Sequence, residues 1–333
     1  MNLMRNQKIQ KCIIGVLLLA LTAGLLCGCG ASENSVLIYT SAEDYRMEYM
    51  RQRLAEEFPD YDITIEYMPT GNHAAKLLAE GASTECDITY DLEYTYLQKL
   101  ADAEVLADLS GYDFSVFRSD VVKSSFYMPE YRNGGAVVVN PAVLEKYGLE
   151  KPSGYDDLLK PEYQGLISMP NPASSGTGYM FLLAMANARG EDAAFAYFDA
   201  LAENVLQFTS SGSGPVNALI QGEVAIGLTI TGTAVTAIND GAELEILFFE
   251  EGSPYALYGQ GIIAGKEQRT AVREVFDFLY QTYGYENCEK FFPEPIYENR
   301  SFAIDHYPDG IVYCDMSGDT AQRKAELLSK WNY

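Results

Sequence analysis

Histidine is nearly absent from this chain. His73 and His306 are the two in 333 residues, and tryptophan occurs once. A mechanism that needs a histidine base or a histidine-rich metal cluster therefore has few candidates. Basic residues are also scarce: 23 Lys and Arg stand against 47 Asp and Glu, for a formal charge of −24. A phosphate backbone needs a basic surface, so nucleic acid is excluded as a partner. The same balance argues against electrostatic docking on anionic lipid. Cys86, Cys288 and Cys314 are widely spaced and form no CxxC pair, which speaks against a zinc site. Cys288 and Cys314 remain open as a disulfide pair. Sequence signatures of catalysis are missing too. No G-x-S-x-G surrounds a serine, and no P-loop, HExxH or GxGxxG stands in a fitting strand–turn–helix context. A non-catalytic protein is expected, with a surface-anchored hydrolase as the remote alternative. The patterning of a β-sandwich adhesin is absent.

Hydrophobic residues make up 48% of the chain, which rules out disorder, and the length suggests two domains. Residues 1–11 carry Arg5, Lys8 and Lys11 and no acid, and the apolar run CIIGVLLLALTAGLL follows at 12–26. This is the charged start and apolar core of a secretory signal. The run is shorter than the ~18–20 residues of a spanning helix. LCGC at 26–29 looks like a lipobox, with Cys29 as the acylated first residue of the mature chain. Residues 1–28 are then a signal peptide and 29–35 a short polar tether. The protein is expected on a membrane, facing outward or into a periplasm, held by lipid on Cys29.

Downstream the pattern alternates. VLIYT at 36–40, DITIEYM at 62–68 and CDITYD at 86–91 read as strands, with helices at about 43–58, 70–81 and 96–109 between and after them. GGAVVVNP at 134–141 is a further strand. LISMPNP at 166–172 opens a second unit, with helices at 176–189, 191–202, 211–223 and 233–241 and strands at 205–209, 224–231 and 244–252. The expected class is α/β: two lobes, each a mainly parallel sheet flanked by helices. Lobe 1 spans 36–136 with 258–285 returning to it, lobe 2 spans 137–257, and a helical tail follows at 286–333. The crossings are placed at 127–135 and 245–252.

Four loops rich in hydroxyls and glycine enter helices after strands. MPNPASSGTGYMF at 169–181 offers Ser174, Ser175 and Thr177, with Gly176 allowing close backbone approach. TSSGSGPV at 209–216 offers Ser211 and Ser213, YTSAED at 39–44 offers Thr40 and Ser41, and PTGNHAAK at 69–76 offers Gly71 and Asn72. Each alone reads as a helix cap. Four together, at the carboxyl ends of strands in two lobes, read as a cleft lined by helix N-termini, whose free N–H groups and positive dipole suit an anion. His73 is read as a ligand contact or a surface residue, His306 as structural, and Glu250 and Glu251 as a solvated turn. Tyr179 and Tyr258 are read as core packing or ligand stacking.

The lipobox, the YTSA start, MPNPASSGTGY, VLQFTSSGSGPVNALIQGEVAIGLT and YDDLLKPEYQG together resemble the extracellular solute-binding proteins of ABC importers. The resemblance spans roughly residues 35–295 and is strongest to the branch named for ferric iron, which also holds 2-aminoethylphosphonate and hexose-phosphate binders. It implies a periplasmic-binding-protein type 2 fold, two lobes closing on a solute, and delivery to a membrane permease. Ferric members of the branch hold iron with adjacent tyrosines. Here the matching stretch reads TITGTAV, and no Tyr-Tyr dipeptide occurs. Thr231 and Thr233 stand where other members carry a His-Asp pair. A phosphate- or phosphonate-bearing organic anion is thus the expected cargo, captured by a monomer without cofactor or bound metal. Ferric iron, on Tyr90, Asp91 and Glu93, is the alternative.

Overall fold

The computed structural model describes residues 33–294 and 296–333; the signal segment and Cys29 lie outside the described residues. Among these, nine strands form one continuous mixed sheet in the order β2-β1-β3-β9-β4-β7-β5-β6, with β8 paired to β4. The first half begins as successive β-α units. β1 (Ser35–Thr40) pairs in parallel with β2 (Asp62–Tyr67) and β3 (Ile88–Glu93). Helices α1 (Asp44–Glu57), α2 (Thr70–Glu80) and α3 (Tyr94–Asp102) follow them in turn. In the second half, β5 (Ile167–Pro170) is parallel to β6 (Val205–Thr209) and β7 (Ile226–Ile230).

The two halves are joined by antiparallel strands, where a mainly parallel sheet is expected from sequence. β4 (Met128–Val139) is twelve residues long. Its first part pairs with β9 (Tyr255–Ile262), which pairs in turn with β3. Its second part pairs with β7 and with the short β8 (Glu245–Leu247). The chain thus crosses between halves once inside β4 and once between β8 and β9. Only strands that turn back from one half to the other run antiparallel, so the βαβ logic holds within each half.

Helix α4 (Pro141–Tyr147) is not legible in the hydrophobic pattern, yet its signals are local. The Asn140 side chain accepts from the Val143 N–H, Pro141 occupies the first turn, and Gly148 ends the helix at φ 66°. α5 (Gly176–Arg189) is apolar all round, and every residue from Gly176 to Ala186 is buried, as expected of a core helix. It packs on α6 (Glu191–Ala202) and against β4, β5, β7 and β9. α7 (Gly214–Ile220) and α8 (Thr231–Asn239) complete the second half. α9 (Thr270–Phe278) and α10 (Gly284–Lys290) return to the first, and α11 (Ala321–Ser329) lies in the C-terminal tail. Cys86, Cys288 and Cys314 are all free, so the Cys288–Cys314 pairing left open by the sequence is not made. Among the described residues no helix is long and apolar enough to cross a membrane.

Candidate functional site

A narrow cleft with about 20 Å³ of free space lies where the two halves of the sheet face each other. Its walls come from the carboxyl ends of β1, β2, β3, β6 and β7 and from the starts of α1, α2 and α5, the geometry in which open α/β sheets take ligands.

One wall is made of hydroxyls. Ser175, Thr177, Ser210, Ser211 and Ser213 line it, with Gly212 and Ile230. Ser175 caps α5 by accepting from the Gly178 N–H at 3.4 Å, and both Ser175 and Thr177 are buried. The 210–213 loop is held from behind: the Thr229 hydroxyl donates to the Gly212 carbonyl at 2.7 Å, and the Thr209 hydroxyl donates to that of Ser211 at 2.8 Å. A Cβ on Gly212 would sit 2.3 Å from Thr177 Oγ1 and 2.5 Å from Ile230 Cδ1. Glycine is what lets this loop close on the start of α5.

The opposite wall is acidic. Ser41, Glu43, Tyr67, Pro69, Thr70 and Asp91 line it, and the crossing strands add Tyr131, Asn133 and Tyr258. Asp91 has φ 56°, a left-handed backbone that is uncommon outside glycine, and its carboxylate accepts from Tyr131 at 2.8 Å and from Arg46. Arg46 is 1% exposed and also donates to Glu43 at 3.0 Å and to Glu130 at 2.9 Å. One guanidinium therefore faces three carboxylates. Burial pushes the Asp91 carboxyl up to about 6 against the pull of Arg46, with Glu43 adding to the rise. Burial and the neighbouring Asp91 push Glu130 well above the carboxylate range. The Oδ1 of buried Asn133 has no partner, which leaves an acceptor at the cleft. Among the described residues no Lys or Arg lines the cleft.

The two walls touch. The Gly71 N–H donates to the Ser174 carbonyl at 3.0 Å, the Tyr45 and Thr233 hydroxyls meet at 3.3 Å, and a Cβ on Gly176 would lie 2.2 Å from the Tyr258 hydroxyl.

Of the residues singled out from sequence, Ser41, Ser175, Thr177, Ser211 and Ser213 line the cleft. Gly71, Ser174 and Gly176 stand at its rim through the contacts just given. The others do not line it. Thr40 is buried and accepts from the Ala42 N–H; Asn72 is exposed on α2; Thr231 and Thr233 are buried in the first turn of α8. His73 is neither surface nor ligand contact. It is fully buried between Ser41 at 2.9 Å and Thr89 at 3.0 Å, and desolvation lowers it to about 3. Of the three oxygen donors considered for iron, only Asp91 reaches the cleft. Tyr90 is buried against Tyr283, and Glu93 is paired with Lys324. Tyr258 lines the site, whereas Tyr179 donates to Asp319 at 2.8 Å under the tail. His306 is an exposed turn residue bonded to Asn239. Sequence reading missed Glu43, Tyr131 and Asn133. For the latter two a signal existed: they alternate along a strand beside Arg132, and only a strand running through residue 131 puts them on one face.

The fold is shared with solved proteins. The periplasmic binding protein AfuA from Actinobacillus pleuropneumoniae, solved with exogenous fructose-6-phosphate, superposes with a TM-score of 0.80 at 24% identity, over 89% of this chain and 97% of that one. The periplasmic binding protein P5PA gives 0.78 at 22% identity, over 90% and 98%. Iron-bound HitA from Pseudomonas aeruginosa gives 0.73 at 16%, over 89% and 97%. An uncharacterized protein of Haemophilus influenzae is 26% identical over 341 residues, covering 97% of both chains. These likenesses establish the two-lobed type 2 periplasmic-binding-protein architecture. Residues 96–303 match the family described as bacterial extracellular solute-binding protein, and that stretch contains β4, β9 and the whole hydroxyl wall. With a cleft between the two halves of the sheet and a family match over most of the chain, this protein belongs to the bacterial extracellular solute-binding proteins.

Proposed function

We propose that the protein captures solute for an ABC importer, and that its cargo is a small organic anion with a phosphate or phosphonate at one end and hydrogen-bond donors at the other. The polarity of the cleft carries this reading. The hydroxyl wall and the start of α5 offer donors and partial positive charge to an anion. Glu43, Asp91 and Asn133 offer acceptors to hydroxyls or an ammonium. The free space is about 20 Å³, roughly that of one water, so the cleft is shut and a solute enters once the lobes part. The structure of AfuA with fructose-6-phosphate supports the anionic end. That of iron-bound HitA supports the rival, and Glu43, Tyr67 and Asp91 are the oxygens that iron would meet here. The lobes are taken as 36–136 with 258–285 and as 137–257, joined by the crossing strands and closing on the solute as a monomer without catalysis. A thermal-shift panel decides the cargo: inorganic phosphate, 2-aminoethylphosphonate, fructose 6-phosphate, fructose and ferric citrate, on the chain that follows Cys29. A shift with a phosphorylated or phosphonate solute and none with fructose is expected. A shift with ferric citrate alone overturns the organic anion.

Closure has its own test. A Cβ on Gly71 would lie 2.7 Å from the Ala173 carbonyl and 3.3 Å from Ser174 Cα, both backbone of the facing wall. Gly71→Ala therefore props the walls apart, while inside α2 alanine favours the helix. Affinity for the bound solute is expected to fall about tenfold, from an overpacking cost of roughly 1–3 kcal/mol, while the ligand-free protein relieves the clash by opening and its melting temperature changes little. A parallel loss of melting temperature would place the fault in folding.

Anchoring rests on Cys29. Cys29→Ser is expected to move the protein from the membrane fraction to the soluble fraction after processing. Retention in the membrane would mean that the apolar segment holds the chain by itself.

A further inference from the structure

The tail beyond residue 303 lies outside the stretch that matches the family, yet it ties the two halves of the molecule together. Most of its bonds go to the second half. Tyr179 donates to Asp319, Asn187 donates to the Asp315 and Ser317 carbonyls at 2.9 and 3.0 Å, and Arg323 and Lys330 pair with Glu191 on α6. Trp331 packs edge-on against Phe198 and Phe208. α11 thus rides on the second half.

The same helix also packs against α3 of the first half, and its Lys324 makes the buried polar contact there. Lys324 is 2% exposed and forms an ion pair with Glu93, which is 1% exposed, at the end of β3. Its ammonium also donates to the Thr95 hydroxyl at 3.2 Å. It lies 3.9 Å from the Tyr96 ring of the first half and 4.1 Å from the Tyr179 ring of the second. The pair is dry and divided between the two halves, and Glu93 is two residues along the same strand from Asp91 in the cleft wall. A buried pair offsets its desolvation only when further contacts satisfy it. Here a hydroxyl and two aromatic faces do so. Opening of the cleft would withdraw the ammonium from Glu93 and expose both groups.

We propose that Lys324 and Glu93 form a latch through which the C-terminal helix biases the ligand-free protein toward the closed state. The proposal rests on the two lobes opening and closing, as read above, and not on the identity of the solute.

Small-angle scattering of the ligand-free mature chain tests it without any solute, so failure of the solute panel leaves this result intact. Trp331, the single tryptophan, reports in the same samples whether the tail stays docked. Wild type is expected to scatter as a largely closed particle. Lys324→Met and Glu93→Gln each leave a buried charge unpaired, and each should raise the open-to-closed ratio at least about tenfold with Trp331 emission unchanged. The double variant lacks both partners of the latch and should lie between wild type and the single variants, more open than the first and less open than either of the second, the non-additivity of a direct pair. If a single variant does not fold, Tyr96→Leu removes one aromatic face and no charge, and should shift the ratio about two- to fivefold. A wild type already open without ligand, single variants that scatter like wild type, or a shift that appears only when Trp331 becomes exposed would each overturn the latch.

Discussion

Replacing Arg46 by methionine is expected to cost roughly 3–5 kcal/mol of stability at neutral pH, the loss typical of a buried ion pair stripped of one partner. Arg46 donates through Nε to Asn287 at 3.2 Å, through Nη1 to Glu43, Asp91 and the Tyr131 hydroxyl, and through Nη2 to Glu130. Its guanidinium also lies 4.5 Å from the Tyr131 ring and 4.7 Å from that of Phe292. Methionine keeps the packing volume and leaves Asp91 and Glu130 buried without a cation. Arg46→Lys should recover only part of the loss, because one ammonium with three donors cannot serve acceptors on five side chains. Urea unfolding of the three proteins gives the order directly. Equal stability of wild type and the methionine variant would mean that the carboxylates are already neutral at that pH.

The pH dependence has a definite sign. Asp91 and Glu130 are carboxyls whose folded values lie above their unfolded ones. Their contribution to stability is therefore fully present below about pH 4 and is lost as pH rises, for Asp91 through about 6 and for Glu130 further up. Removing Arg46 raises both further. The gap between wild type and Arg46→Met should be widest near pH 8 and narrow toward pH 5, where the orphaned carboxyls take up protons. His73 acts in the opposite sense on both proteins alike: lowered to about 3, it costs stability as pH falls below 6.5. For that reason the difference between variants, and not the melting curve of either, carries the test.

Local chemistry decided which parts of the molecule were readable beforehand. α5, α6 and β6 begin and end where the sequence places them, because Ser175 caps the first helix and Gly190, at φ 82°, separates it from the second. β4 starts six residues before the expected 134, since Met-Pro-Glu-Tyr-Arg-Asn has no strand-like alternation of apolar residues. Its burial comes from lying between β9 and the second half, which is a tertiary fact. α3 stops at Asp102 although the apolar pattern runs on to 109. Glu104 turns left-handed at φ 57°, and Leu106 leaves the helix to bridge to Ile263. The site divides in the same way. Its hydroxyl wall is a sequence motif at a helix start and was legible. Its acidic wall depends on the backbone twist at Asp91 and on a buried arginine in the first turn of α1, and neither has a signature in the chain. The same capping logic that names Ser175 names Thr40 and Asn72, which sit in equally suitable loops but are buried and exposed respectively, outside the cleft lining.

Ser175→Ala combined with Thr177→Val is expected to weaken a phosphate- or phosphonate-bearing solute more than about a hundredfold. Each hydroxyl that donates to a buried anion contributes roughly 1.5–3 kcal/mol, and the cleft has no lysine or arginine to take over the charge. Valine puts a methyl where Thr177 Oγ1 faces Gly212, so the loop at 210–213 keeps its place. Ser175 has a second role as the cap of α5, and its loss should lower ligand-free stability by about 0.5–2 kcal/mol. That part is measured separately by unfolding without solute and cannot account for the loss of affinity. The informative readout is selectivity. Wild type should prefer the phosphorylated form of a solute over its dephosphorylated counterpart by a wide margin, and the variant should bind the two nearly alike. Calorimetry on both forms completes the cycle. If the variant loses affinity for both forms equally, the hydroxyl wall shapes the cleft without reading the anion, and the charged end of the cargo lies elsewhere in it.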